Sequence, residues 1–355
     1  MLLETGDVRC WGAGQRGELG YASTDNVGDN ELPATRGPIQ LGSPALHVAV
    51  GDSTTCALLI DGRVQCWGLN QLGQLGRGVP TTARDEFIGD DEHPASFGST
   101  DVGGTVTELV AGYQHACTLV ADGSVRCWGT NSSGETGYPT ADYPEVVSSI
   151  VGNVDVGGSV AGISAGRLNT CALLDTGDVR RWGVHELESF DAPASARDVP
   201  VAARAIQVAC GASYTCALLA DGQVDCRGVA GSAVAQQSPV ELGGVATRIA
   251  AGNHHACALM QDGGVRCWGD NYWGQLGYGH LEKIGDDESP ASAGDVELGG
   301  TAAQICAGAY HSCALLTDGR LSCWGWNISG ELGYGHTQDI GDDETPLSAG
   351  DVRYQ

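Results

Sequence analysis

Cys56-Ala-Leu-Leu-Ile-Asp-Gly-Arg-Val-Gln-Cys-Trp-Gly68 decides the fold. Two apolar runs flank Asp61-Gly62, a dipeptide that turns a chain sharply because Gly accepts positive φ at little cost. The phrase returns at residues 117–129, 171–183, 216–228, 257–269 and 313–325, and a clipped copy covers residues 2–12. Asp-Gly stands at the turn in five copies, and Thr-Gly in two, Thr5-Gly6 and Thr176-Gly177. From the Trp position (Trp11, Trp67, Trp128, Trp182, Arg227, Trp268, Trp324) the spacings are 56, 61, 54, 45, 41 and 56. A constant hairpin with unequal spacing predicts rigid repeats joined by loops of variable length.

Ahead of each hairpin lies another apolar segment ending in small residues, as in Leu109-Val-Ala-Gly112, Ile249-Ala-Ala-Gly252 and Ile305-Cys-Ala-Gly308. Behind it come a loop and a short run such as Asp295-Val-Glu-Leu298. Four short strands per repeat without helical periodicity predict an all-β, seven-bladed propeller of about four-stranded antiparallel blades, with residues 1–355 as one domain. Aligned on the repeat, Gln355 matches Gly299 and Met1 matches Ala314, which leaves one blade short by the equivalent of residues 300–313. The expectation is an incomplete blade formed from both termini, in a fragment of a longer chain.

The run Cys-Trp-Gly-x-Asn-x-x-Gly-Gln-Leu-Gly occurs at residues 66–76 and 267–277, with Cys323-Trp-Gly-Trp-Asn-Ile-Ser-Gly-Glu-Leu-Gly333 close to it. With Ala-Gly-x-x-His at residues 111–115, 251–255 and 307–311, it resembles the regulator of chromosome condensation repeat over essentially the whole chain. The resemblance implies a seven-bladed propeller and little about activity, since one fold serves unrelated roles. Light-sensing members place tryptophans just before the repeat His. Here those slots hold Tyr113-Gln114, Arg167-Leu168, Ser213-Tyr214, His254 and Ala309-Tyr310, so photoreception is not expected.

Fourteen cysteines form a second pattern. Five copies carry Cys at both hairpin positions: Cys56/Cys66, Cys117/Cys127, Cys216/Cys226, Cys257/Cys267 and Cys313/Cys323. A three-residue loop at Ile60-Asp61-Gly62 makes residue 59 face 63, and therefore 56 face 66, within reach of a disulfide. The alternative is a set of small buried thiols; zinc does not suit this spacing. Cys171 faces Arg181 and Cys10 has no partner within its copy, while Cys210 and Cys306 are left open as free or bridged between blades. Stapled hairpins imply an oxidising compartment, namely periplasm, cell surface or medium, although Met1–Asp7 does not read as a signal peptide.

Acidic residues outnumber basic ones 44 to 18, for a net charge of −26. Such a surface repels phosphate backbones, so no nucleic-acid partner is expected, and no stretch is long and apolar enough for membrane insertion. The acidic loops Asp90-Asp91-Glu92, Asp286-Asp287-Glu288 and Asp342-Asp343-Glu344 each follow a Gly. Their carboxylates could hold Ca²⁺, the one cofactor considered, or could cap backbone N–H groups in an inter-blade loop. His115, His255 and His311 share one repeat position, whose other occupants are read as Thr55, Asn169 and Thr215, and a hydrogen-bonding role is expected. Six of the eight tryptophans recur at one hairpin position and read as blade packing; Trp273 and Trp326 fall in the following loops and are candidates for a binding surface. No Ser-His-Asp order, phosphate-cradling loop or cleft carboxylate pair stands out. The expectation is a non-enzymatic, extracellular or cell-surface scaffold that presents inter-blade loops to a protein partner. The alternatives are an inhibitor of a secreted hydrolase, after a similar propeller that inhibits β-lactamase, or a regulator like the family's guanine-nucleotide exchangers.

Overall fold

The computed structural model describes residues 1–78, 86–139, 146–147, 152–184, 198–228, 233–235 and 238–355. Its strands are β1 (Ala45–Val50), β2 (Thr54–Leu59), β3 (Val64–Leu69), β4 (Phe87–Ile88), β5 (Val106–Ala111), β6 (His115–Val120), β7 (Val125–Thr130), β8 (Val146–Val147), β9 (Val160–Ala165), β10 (Asn169–Leu174) and β11 (Val179–Gly183). They continue as β12 (Asp198–Val199), β13 (Ala205–Cys210), β14 (Tyr214–Leu219), β15 (Val224–Gly228), β16 (Ala246–Ala251), β17 (His255–Met260), β18 (Val265–Gly269), β19 (Ala302–Ala307), β20 (His311–Leu316) and β21 (Leu321–Gly325). They make antiparallel sheets in which three consecutive strands meander, as in β1-β2-β3 and β19-β20-β21. The first copy contributes the bridge between Leu2 and Val8, and Ile39 N–H donates to the Val8 carbonyl.

The turn chemistry sets the register. Gly62 sits at φ 83, its N–H donates to the Leu59 carbonyl, and Leu59 N–H donates to the Arg63 carbonyl. Cys56 therefore faces Cys66. The same count sets Cys117 against Cys127, Cys216 against Cys226, Cys257 against Cys267 and Cys313 against Cys323. Middle strands β2, β6, β10, β14 and β17 are buried at every residue, because both faces of a blade are covered. Their sequences are accordingly apolar without alternation.

The fourth strand is smaller than the sequence suggests. Asp295-Val-Glu-Leu298 forms no named strand; Val296 N–H donates to the Val265 carbonyl, and Thr100, Val154 and Val240 make isolated bridges in the equivalent places. A proline-led helical turn ending at Gly294 precedes that run and Gly299-Gly300 follows it, so only a short stretch can lie beside the hairpin. Where a fourth named strand exists it is two residues long, as in Phe87–Ile88 pairing with Leu69 and Gly68.

Two compact units divide the chain. The first holds Met1–Asn26, Thr35–Asp175 and Arg180–Asp198; the second holds Val27–Ala34, Thr176–Val179 and Val199–Gln355. Within the first, Val154, Val156, Val160, Ile163 and Trp182 pack with Val125, Leu119 and the Cys117 and Cys127 pair into one core between neighbouring blades. Within the second, Ala34 N–H donates to the Arg353 carbonyl, repeating the bonds from Ala291 to Glu241 and from Leu347 to Glu297. The proline-led turn of one repeat is thereby docked on the outer edge of the one before it, and Ala34 does the same on the last.

Candidate functional site

The tryptophans at the repeat position explain the motif behind them. Trp67, Trp128 and Trp324 are fully buried, and each indole N–H donates to a loop carbonyl of the preceding repeat: Glu18 (3.0 Å), Gln74 (3.0 Å) and Gln275 (3.0 Å). That carbonyl belongs to the Gly-Gln/Glu-Leu-Gly run, which is held in shape by Asn. Asn70 Oδ1 accepts from Leu75 N–H, Asn271 from Leu276 and Asn327 from Leu332. A blade thus recognises its neighbour through one polar atom set in an apolar joint, the arrangement a buried carbonyl requires.

The repeat histidines belong to this joint. His255 Nε2 lies 2.9 Å from Ser312 Oγ, which donates to the Gln275 carbonyl at 3.0 Å. His115 Nε2 lies 2.9 Å from Thr170 Oγ1, which donates to the Glu135 carbonyl at 2.7 Å. The Gly of Ala-Gly-x-x-His is explained by close approach: a Cβ on Gly252 would stand 2.2 Å from His255 Cε1. Two occupants of this position differ from the sequence expectation. His115 pairs with Gly129 and His255 with Gly269, and at that register stand Thr54 and Tyr214, not Thr55 and Thr215. The hairpin count runs back two residues from the first Cys, which the similar flanking threonines obscured.

Burial holds these imidazoles neutral, lowering His115 and His311 to about 4 and His255 to about 3. An unfolded His binds a proton near pH 6.5 while the folded one resists until about pH 4. Their contribution is therefore complete above pH 6.5 and is lost as pH falls through that window, on the order of 3 kcal/mol per histidine. Between pH 6.5 and 4 the histidines pull the denaturant midpoint down, against the carboxyls of Glu92, Glu288 and Glu344, which are lifted to about 7 and favour the folded state as pH falls. His255→Asn, the residue type found at Asn169, should flatten that slope.

The acidic loops form a second joint. Gly279 N–H donates to the Gly341 carbonyl (3.1 Å), Gly335 N–H to that of Gly28 (3.0 Å) and Ser23 N–H to that of Gly89 (3.3 Å). Each Asp-Asp-Glu run (Asp90 to Glu92, Asp286 to Glu288 and Asp342 to Glu344) brings three carboxylate oxygens within 4.8 Å of one another. Partial burial and a hydrogen bond to the adjacent Asp lift Glu92, Glu288 and Glu344 to about 7. Three oxygens are half or less of the six to eight that Ca²⁺ takes, and the backbone joint accounts for the loop's shape.

The hairpin cysteines are bonded in the five pairs that the register sets: Cys56–Cys66, Cys117–Cys127, Cys216–Cys226, Cys257–Cys267 and Cys313–Cys323, each with Cα atoms 4.1 Å apart. Cys171 and Cys210 are also in the disulfide form, while Cys10 is a buried and Cys306 an exposed free thiol.

The second unit also presents aromatic side chains to solvent. The residue after each Cys-Trp-Gly bonds back to the residue before the repeat His: Trp326 N–H donates to the Tyr310 carbonyl (3.0 Å) and Asp270 N–H to that of His254 (2.8 Å). That ties two loops into one surface. Trp326 meets Tyr310 edge-on at 6.0 Å and Trp273 at 6.4 Å, with Trp273 43% exposed. Beside them Tyr272, 60% exposed, carries Lys283 Nζ 4.9 Å above its ring, and Lys283 is held by Asp270 at 2.6 Å. The carboxylate raises that ammonium to about 12. The sequence singles out Trp273 and Trp326 but not Tyr272 and Tyr310, which lie in different loops; Tyr310 reaches Trp326 through the inter-loop bond.

Antiparallel three-stranded meanders, with a buried Trp of one repeat set against the glycine loop of the repeat before it as at Trp67, Trp128 and Trp324, are the blades of a β-propeller. The profile of the RCC1-like domain matches residues 7–352, and the chain belongs to that family. It is 25% identical over 348 residues to the ultraviolet-B receptor UVR8 of Arabidopsis thaliana, covering 96% of this chain and 66% of the receptor. With human E3 ubiquitin-protein ligase HERC2 it shares 24% over 242 residues, 54% of this chain and only 5% of the ligase. The chain thus spans just under two thirds of one relative and a small part of the other. Yeast RCC1 (Prp20), solved bound to Kap60, superposes with a TM-score of 0.75 at 21% identity, covering 98% of this chain and 83% of that one. Human WBSCR16 gives 0.74 at 22%, covering 97% and 92%.

Proposed function

We infer that this chain is a protein-binding propeller of an oxidising compartment, without catalytic activity of its own. Its recognition surface is the aromatic patch of Trp273, Trp326, Tyr310 and Tyr272. The single observation carrying this reading is the contact of Trp326 with both Trp273 and Tyr310 on loops that the blade joints hold rigid. Rigid, partly exposed Trp and Tyr are the residue types that dominate binding energy in protein interfaces. The net charge of −26 selects a partner segment rich in Arg or Lys that also offers apolar or aromatic side chains to stack on the patch. Twelve cysteines in disulfide form support a location outside the reducing cytoplasm. The members solved with protein partners, such as RCC1 with Kap60, agree with a binding role in the family.

An array of basic, aromatic-containing peptides with acidic counterparts tests the reading. Wild-type protein should be retained by the basic set, and the double variant Trp273→Ala/Trp326→Ala should lose about tenfold in affinity, or 1.4 kcal/mol, at unchanged melting temperature. Equal retention of both proteins, or preference for the acidic set, would overturn it.

A further inference from the structure

The last blade differs from the others at one position of its first strand. Cys306 on β19 lies opposite Cys313 on β20, and Cys313 lies opposite Cys323 on β21. The strands neighbour one another in that order. Opposed residues of an antiparallel ladder project to the same face, so three cysteines stand in one row across the sheet. The Cys313–Cys323 pair is bonded and Cys306 is a free, exposed thiol. At the equivalent place the other blades carry Ala49 opposite Cys56, Val110 opposite Cys117, Ser164 opposite Cys171, Ala209 opposite Cys216 and Ala250 opposite Cys257. Among these blades the last alone sets a thiol beside the cystine.

The ladder geometry suits exchange. A Cα separation of 4.1 Å marks Cys313 and Cys323 as a non-hydrogen-bonded pair. Cys306 and Cys313 are then the hydrogen-bonded kind, with Cα atoms ~5.5 Å apart, inside the range that disulfides span. A thiolate displaces one sulfur of a disulfide by approaching along the sulfur–sulfur axis from the far side. The row across β19, β20 and β21 provides that line.

We propose that Cys306 is a built-in exchange thiol for the Cys313–Cys323 disulfide. Its thiolate attacks Cys313 Sγ; the 306–313 bond forms as the 313–323 bond breaks, and the electron pair leaves on Cys323 Sγ. Cys323 takes up a proton from water, matching the one Cys306 released. The oxidation level is unchanged, so no external oxidant or reductant is consumed. The staple moves from β20–β21 to β19–β20. No covalent link then ties β21 to its blade, and backbone pairing with the docking of Trp324 holds the strand that runs through Gly325 into Trp326.

Two measurements test the exchange. Trypsin, cutting after Lys283 and Arg320, leaves Cys306 and Cys313 on one peptide and Cys323 on the next. Wild-type protein is equilibrated with a glutathione buffer at mildly alkaline pH, acid-quenched, alkylated after denaturation and digested without reduction. It should release peptide 321–353 bearing alkylated Cys323, and Cys306→Ser should not. Independently, Cys323→Ser should form the 306–313 disulfide under oxidising conditions. The control Cys267→Ser should leave Cys257 a thiol, because Ala250 faces it. The inference is overturned if Cys323→Ser keeps both Cys306 and Cys313 free while the other hairpins are bonded. Absence of unlinked peptide 321–353 above the Cys306→Ser background overturns it equally.

Discussion

Reduction of the folded protein should remove the largest single block of its stability. Each hairpin disulfide closes a loop with a sequence separation of 10, which in the chain-entropy model contributes about 2 to 3 kcal/mol. Five such pairs together approach the roughly 5 to 15 kcal/mol that holds a typical domain folded. Reductant is therefore expected to unfold the protein at ambient temperature or to move its urea midpoint close to zero. The paired replacement Cys257→Ser/Cys267→Ser should lose about 2 to 3 kcal/mol and leave the remaining staples intact. A reduced protein whose denaturation curve overlays the oxidised one would show that backbone pairing and blade packing suffice.

Trp324→Ala should be the most damaging single substitution away from the cysteines. The side chain is fully buried and its indole N–H reaches the Gln275 carbonyl. Truncation opens a cavity between two blades at a cost of about 3 to 5 kcal/mol. Ser312 keeps one hydrogen bond on the same carbonyl, which spares it from being orphaned. Trp273→Ala, at a partly exposed site, should change stability by about 0.5 kcal/mol or less. Equilibrium urea unfolding of the two variants separates the roles, and equal losses would contradict the assignment of one Trp to packing and the other to the surface.

The hairpins were legible because their signal is local. Asp61-Gly62 sets the loop type, the loop type sets the register, and the register puts residue 56 across from 66. Asp122-Gly123 does the same for Cys117 and Cys127. The tryptophan ladder was legible for a similar reason, since one position repeated in copy after copy marks a constant environment. What failed were inferences reaching beyond one hairpin. Thr54 and Tyr214 were missed at the histidine position because neighbouring threonines align almost as well as the true occupants. The fourth strand was overestimated because Val296 looks like a strand residue, whereas the flanking Gly294 and Gly299 leave it a single bond. The Tyr310–Trp326–Trp273 contact joins loops about fifteen to fifty residues apart: a backbone bond within the last blade brings Tyr310 to Trp326, and the loop of the preceding repeat brings Trp273. The row Cys306–Cys313–Cys323 was hidden for the same reason, because it depends on two registers at once.

Five of the hairpins are covalently closed across their own two strands. Maleimide labelling of the denatured protein, with and without prior reduction, counts its thiols by intact mass. Fourteen cysteines with twelve in disulfides predict two labels before reduction and fourteen after. Fourteen labels on protein purified under oxidising conditions and never reduced would contradict it, and with it the proposed compartment.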